Sequence, residues 1–189
     1  MIDTTTFRSV FPVARVFIAL ITLITLAVPA KAEHEGKVQI LLLGDSTTEG
    51  SIPRLMKPEG PHLETVLEQL LAAEEGLPPV HVINSSLSGE YIRRLLDSGR
   101  YDRDAAKLPG VDYIFIRYGL NDRARVNEFT TEFPLHFHEL IDRLRKDHPA
   151  ALLIPTTVIP FANEEVSLEI NDLVRKVAEK EKLDVFDIY

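Results

Sequence analysis

The segment VQILLLGDSTTEG, residues 38–50, decides the fold class of this 189-residue chain. Its first half is an uninterrupted, mostly apolar run, which is typical of a parallel β-strand that is covered on both faces. Its second half is polar and bounded by Gly44 and Gly50, which indicates a tight turn that leads into a helix. Further apolar runs predict strands at residues 80–83, 113–118, 152–159 and 183–188.

Helical patterns separate these predicted strands. Apolar residues recur at the spacing of one helix face in three segments: Leu63, Val66, Leu67, Leu70 and Leu71; Phe133, Phe137, Leu140, Ile141 and Leu144; and Val166, Ile170, Leu173, Val174 and Val177. Residues 89–108 predict shorter helical pieces. Alternation of strands and helices favours an α/β fold, a three-layer α/β/α sandwich of flavodoxin-like type with a parallel sheet of about five strands.

Composition and charge restrict the classes of function. Hydrophobic residues make up 45% of the chain, which is enough for a sizeable core. The net charge is -8 and there is no basic run, so we expect no binding to nucleic acid. The chain has no cysteine, which excludes disulfides, thiolate metal ligands and a cysteine nucleophile. Its six histidines form no metal-binding motif, and we predict no metal site. No pattern in the sequence specifies an oligomeric state.

Residues 1–32 have the pattern of an export signal. Arg8 and Arg15 precede an uncharged, mostly apolar stretch at 16–28, and Ala30-Lys31-Ala32 matches the small-x-small site of signal peptidases. We therefore expect an exported protein, periplasmic or secreted, that begins at Glu33 and has no membrane span after cleavage. The alternative is an uncleaved segment that anchors the protein in the membrane.

Three polar motifs follow the first three predicted strands: GDSTTEG at 44–50, NSSLSG at 84–89 and GLND at 119–122. Carboxyl ends of parallel strands share one edge of a sheet, and ligands bind there. An acyl-transfer site needs a nucleophile and fixed donors for the oxyanion. Ser46 is the candidate nucleophile, and its own backbone N–H, that of Gly89 and the Asn121 side chain are candidate donors.

Each motif also has a purely structural interpretation. Gly44-Asp45-Ser46 suits a strand-to-helix turn in which Asp45 caps the helix, and Gly89 suits a simple turn. Asp122 is expected to bond within its loop. Arg117 is unusual inside a strand, and we interpret it as a paired structural arginine.

The three motifs together resemble those of the GDSL/SGNH hydrolases, and the resemblance covers about residues 37–189. It implies a serine esterase or lipase-like enzyme that cleaves esters of small molecules, carbohydrates or lipids through an acyl-enzyme. Ser46 would be the nucleophile, Gly89 and Asn121 would form the oxyanion hole, and Asp45 would support the site. The resemblance implies no metal and no cofactor.

The resemblance also implies a base histidine in a C-terminal Asp-x-x-His motif, which no histidine of the chain satisfies. His62, in Glu59-Gly60-Pro61-His62, is a remote substitute. We therefore expect residues 33–189 to be a C-terminally incomplete hydrolase domain that is inactive or weakly active. The alternative is a non-catalytic protein that binds a ligand on a degenerate hydrolase fold.

Overall fold

The computed structural model describes residues 36–161 and 163–189. In this part of the chain, four strands form one sheet: β1 (Val38–Gly44), β2 (Val80–Asn84), β3 (Tyr113–Arg117) and β4 (Leu152–Pro155). Their order is β2-β1-β3-β4 and every neighbouring pair is parallel. The predicted export segment, residues 1–32, lies outside the described residues.

The fourth and fifth predicted strands are shorter than expected. The fourth ends at Pro155, and the fifth contributes one parallel bridge, between Thr156 and Phe186. Main-chain bonds join Phe186 to Pro155 and Thr157. Beyond Thr157 a side chain supplies the partners instead, because the amide of Asn171 bonds both the N–H and the carbonyl of Val158. The hydroxyl of Thr157 accepts from the N–H of Ile188 at 2.8 Å. The ladder therefore stops, although the chain still runs beside β4.

Eight helices connect and cover the strands in the described residues. They are α1 (Ser46–Glu49), α2 (Ser51–Met56), α3 (Leu63–Ala72), α4 (Ile92–Asp97), α5 (Arg100–Asp104), α6 (Leu120–Arg125), α7 (Phe129–Asp147) and α8 (Glu164–Glu181). None of the helices in residues 36–161 and 163–189 has the length and apolar character that crossing a membrane requires.

The two long helices bury the faces that the sequence predicts. All five predicted apolar residues of α7 are fully buried, and α8 buries Ile170, Val174 and Val177. They pack with Leu41, Leu43 and other apolar strand residues in one core. The prediction for α3 is wrong at one position: Leu71 is buried, but Leu70 is 61% exposed.

The strand order places a crevice at the carboxyl edge of the sheet. The chain moves outward from β1 to β2 and then returns to the other side of β1 for β3 and β4. Right-handed crossovers put the helices of these two directions on opposite faces of the sheet, which gives the predicted three layers. The direction changes between β1 and β3, and open parallel sheets bind ligands at such a point.

Candidate active site

The first motif forms a tight turn between β1 and α1. Asp45 is buried and caps α1, because its Oδ1 accepts from the backbone N–H of Thr47 at 2.9 Å and from its hydroxyl at 2.7 Å. A Cβ at Gly44 would lie 2.9 Å from the carbonyl oxygen of Arg117 and closer still to Thr48 Oγ1. Only glycine fits there, so the chain turns sharply and Ser46 becomes the first residue of α1.

The second motif is bonded to the first. After β2, the N–H of Ser85 donates to Leu42 O at 3.0 Å, and that of Leu87 donates to Gly44 O at 3.1 Å. These bonds continue the pairing of β1 and β2 beyond the strands. They hold the loop that ends in Gly89 beside the turn that carries Ser46. Gly89 has φ +73°, a left-handed conformation that glycine adopts without strain.

The third motif is bonded to the second. Asn121 Nδ2 donates to the carbonyl oxygen of Glu90 at 3.0 Å. Asp122, which is fully buried, accepts from the N–H groups of Ile92 and Gly119, each at 3.0 Å. Burial raises the pKa of Asp122 to about 7. Asp122 thus bonds within its own loop through Gly119, as the sequence predicts, and also bonds the first residue of α4, which the sequence does not indicate.

Three groups at this edge have an N–H that is free to donate. The N–H groups of Ser46 and Gly89 have no acceptor among the described residues, and Asn121 Nδ2 uses one of its two hydrogens. The hydroxyl of Ser46 is likewise without a partner in the described part of the chain. A hydroxyl and three donors therefore follow the ends of three adjacent strands, and an ester carbonyl that becomes an oxyanion needs these groups.

The geometry of the three motifs agrees with a comparison of the sequence with known families. The family model described as GDSL-like lipase/acylhydrolase family matches residues 42–189. The chain belongs to the GDSL-like lipase/acylhydrolase family. No curated protein sequence matches the chain.

Solved structures of GDSL-like and other esterases share the fold. The acetyl xylan esterase AlAXEase is 17% identical with a TM-score of 0.60, and the match covers 80% of this chain and 77% of that one. The psychrotrophic esterase EstA from a Pseudoalteromonas species is 19% identical with a TM-score of 0.54, with coverage of 79% and 76%.

No histidine of the described residues bonds to Ser46 in this GDSL-like domain. His62 lies just before α3 and its side chain makes no hydrogen bond. His81 and His138 pair with carboxylates, and His148 bonds the carbonyl of Ala105. Nδ1 of His136 is sealed from solvent without a partner. His34 lies outside the described residues. Within those residues, no group of three or more His, Cys, Asp or Glu side chains is arranged to hold a metal ion.

A buried ion pair beside the GDSL-like motifs was not expected from the sequence. The Glu90 carboxylate is fully buried, and it accepts from Arg100 Nε at 2.6 Å, from Arg100 Nη2 and from the hydroxyl of Tyr118 at 2.8 Å. Arg100 Nη2 also donates to Ser85 O at 2.6 Å. The only sequence signal is an acidic residue directly after Gly89. This network fixes the loop that carries Gly89 and the carbonyl that holds Asn121.

Arg117, which the sequence predicts to be a paired structural arginine, bonds to a threonine and not to a carboxylate of the described residues. Arg117 makes none of their ion pairs, and its one hydrogen bond runs from Nε to Thr48 Oγ1 at 2.9 Å. Burial lowers the pKa of the Arg117 guanidinium, and the attraction of Asp45 acts in the opposite direction. A partly buried cation thus stands beside the turn of the nucleophile.

Proposed function

We propose that this GDSL-like chain hydrolyses ester bonds through an acyl-enzyme on Ser46. The observation that carries the proposal is the free donor capacity of Ser46 N–H, Gly89 N–H and Asn121 Nδ2. These groups and an unpartnered serine hydroxyl follow the ends of three adjacent strands. Ser46 Oγ loses its proton to a base and attacks the ester carbonyl carbon. The carbonyl oxygen becomes negative and accepts from the three donors.

The second half of the reaction releases both products. The bond to the leaving oxygen breaks, and that oxygen takes a proton and departs as the alcohol. Water then attacks the acyl group on Ser46, which frees the carboxylic acid and restores the serine hydroxyl. Acetylated carbohydrates and short acyl esters are the substrates we favour, in keeping with the acetyl xylan esterase that shares the fold.

The base is missing from the described residues, and we propose that the chain of 189 residues is weakly active for this reason. No histidine of the sequence stands in an Asp-x-x-His motif, and none of those in residues 36–161 and 163–189 bonds to Ser46. Loss of the base from a serine triad lowers kcat by roughly 10⁶, while fixed oxyanion donors retain about 10³–10⁴ over water.

Rescue of activity by an added base tests this proposal on the chain as it stands. Initial rates are measured on p-nitrophenyl acetate with and without imidazole for wild type, Ser46→Ala and Ser88→Ala. Imidazole cleaves this ester by itself, so Ser46→Ala supplies the background. Ser88 is an exposed serine of the second motif and serves as the matched control.

We expect imidazole to raise the rates of wild type and Ser88→Ala above that of Ser46→Ala. Equal rates for wild type and Ser46→Ala under both conditions would refute Ser46 as the nucleophile. Activity of wild type without imidazole that disappears in His62→Ala would instead identify His62 as the base.

A second candidate function is ligand binding without turnover. The observation that favours it is the absence of any hydrogen bond from a described histidine to Ser46. Such a protein would bind acyl or sugar ligands but would show no gain from imidazole and no acylation of Ser46. Acylation of Ser46 would rule this function out.

A further inference from the structure

Arg117 occupies a special place in the sheet. It is the last residue of β3 and pairs in register with Gly44, the last residue of β1. The change of chain direction lies between these two strands, where ligands bind in open parallel sheets. Its Nε is bonded to Thr48, two residues beyond Ser46. Arg117 therefore lies at the crevice itself, beside the turn that carries the proposed nucleophile.

The guanidinium of Arg117 has unused hydrogen-bonding capacity. A guanidinium carries five N–H donors, and in the described residues only the one on Nε is bonded. In the described residues, Nδ1 of His136 is a buried side-chain atom that has no hydrogen-bond partner. The terminal nitrogens of Arg117 are not buried in this way. These terminal nitrogens therefore keep some contact with solvent.

The other arginines of the described residues either pair with a carboxylate or are exposed to solvent. Every other arginine that is at least partly buried pairs with a carboxylate: Arg54, Arg93, Arg100 and Arg143. The two others that lack a carboxylate, Arg94 and Arg125, are exposed to solvent. A partly buried cation that no carboxylate contacts directly is costly, because burial weakens its hydration and the more distant Asp45 compensates only in part. Arg117 is therefore the arginine at which an anion would gain most.

We propose that Arg117 binds a carboxylate carried by the substrate, so that the preferred esters are those of acidic sugars or half-esters of dicarboxylic acids. This inference rests on the proposed function. The two terminal nitrogens form a planar pair of donors that suits the two oxygens of a carboxylate. A single negative charge suits the site better than a phosphate dianion, since the buried carboxylate of Asp45 lies nearby and the chain carries a net charge of -8.

Binding to Ser46→Ala tests the subsite without any need for turnover. The probes are galacturonate and galactose, which differ in one carboxylate, at fixed ionic strength and by isothermal titration calorimetry. Ser46→Ala should bind galacturonate at least tenfold more tightly than galactose. Adding Arg117→Met should remove that preference, whereas adding Arg125→Met, an exposed arginine without a carboxylate partner in the described residues, should retain it.

Several outcomes would overturn the inference. They are equal binding of the two sugars, a preference that survives Arg117→Met, or a preference that Arg125→Met also removes. Equal binding of the two sugars would result if a carboxylate of the protein itself occupied the terminal nitrogens of Arg117. If Arg117→Met fails to fold, the ¹⁵N resonance of Arg117 Nε decides: it must shift when galacturonate is added to the unmodified chain, and no shift refutes the subsite.

Hydrolysis assays separate this inference from the proposed function. With imidazole present, the wild type is given O-acetylated methyl galacturonoside and methyl galactoside. Carboxylate binding without hydrolysis of either ester would refute the esterase and leave the anion site standing. Equal hydrolysis of both esters without carboxylate binding would support the esterase and refute the anion site at Arg117.

Discussion

Replacement of Arg100 by methionine should destabilise the protein far more than loss of an arginine whose carboxylate partners are exposed. Arg100 is 12% exposed and the Glu90 carboxylate is fully buried. Methionine keeps most of the aliphatic volume but leaves Glu90 with one partner, Tyr118, and leaves Ser85 O without its bond from Arg100. Removing one partner of a buried ion pair costs about 3–5 kcal/mol of unfolding free energy.

Arg93→Met is the matched control. Arg93 also bonds two carboxylates, Asp97 and Glu139, but its partners are 62% and 45% exposed. Exposed pairs of this kind contribute about 0–1 kcal/mol. Both variants therefore lose an arginine with two or more hydrogen bonds, and they differ in burial.

Urea unfolding followed by circular dichroism measures the difference. With a slope of about 1–3 kcal/mol per molar urea, a loss of about 3–5 kcal/mol should lower the midpoint of Arg100→Met by roughly 1–5 M. Arg93→Met should lower it much less. Glu90→Leu combined with Arg100→Met should be less harmful than Arg100→Met alone, because no buried charge remains. Equal midpoints for the two single variants would refute the role given to this ion pair.

Four further predictions concern the site and the N-terminus. Gly44→Ala should lower stability by about 1–3 kcal/mol, because its Cβ would collide with Thr48 and the carbonyl of Arg117; an unchanged Tm would contradict this. Asn121→Ala should lower the imidazole-dependent kcat by about 10²–10³ with little change in KM; a change confined to KM would contradict a role in the transition state. Burial raises the pKa of Asp122 from 3.8 to about 7, so the folded state holds this proton more tightly than the unfolded chain. The stability that the proton supplies is present below about pH 4 and is lost as the pH rises to about 7. The urea midpoint of the wild type should therefore fall more between these pH values than the midpoint of Asp122→Asn. Mass spectrometry of the exported protein should find Glu33 at the N-terminus; a chain that retains residues 1–32 would favour the membrane-anchored alternative.

The sequence predicts those parts of the fold that follow from local periodicity. Continuous apolar runs locate the four strands, and helical spacing identifies the buried face of α7, including Phe133 and Leu140. The predicted positions of the strand ends were less accurate, because hydrogen bonds from side chains remote in sequence determine where a strand ends. Asn171 bonds Val158 across 13 residues and ends the predicted fourth strand early.

The candidate site was predicted only in part. Its three motifs each follow a strand, so topology alone brings them to one edge. The ion pair of Glu90 and Arg100 joins two loops, and no periodic pattern marks such a pairing. The surroundings of Arg117 were also hidden, because a charged residue in a strand predicts a partner but does not identify it. Only the three-dimensional structure shows that, among the described residues, this partner is Thr48 and not a carboxylate in direct contact.

Mass spectrometry of the acyl-enzyme tests the central claim most directly. The chain is incubated with p-nitrophenyl acetate, quenched in acid and digested, and the peptide that contains Ser46 is sequenced by fragmentation. Because the described residues offer Ser46 no base, deacylation should be slow and the acetyl group should remain on Ser46. The account predicts acetylation of Ser46, and none of Ser88, when the folded protein is incubated with the ester. Protein that is denatured before the incubation should show no acetylation of Ser46. Acetyl groups on lysines alone, or equal labelling of Ser46 in folded and denatured protein, would contradict it.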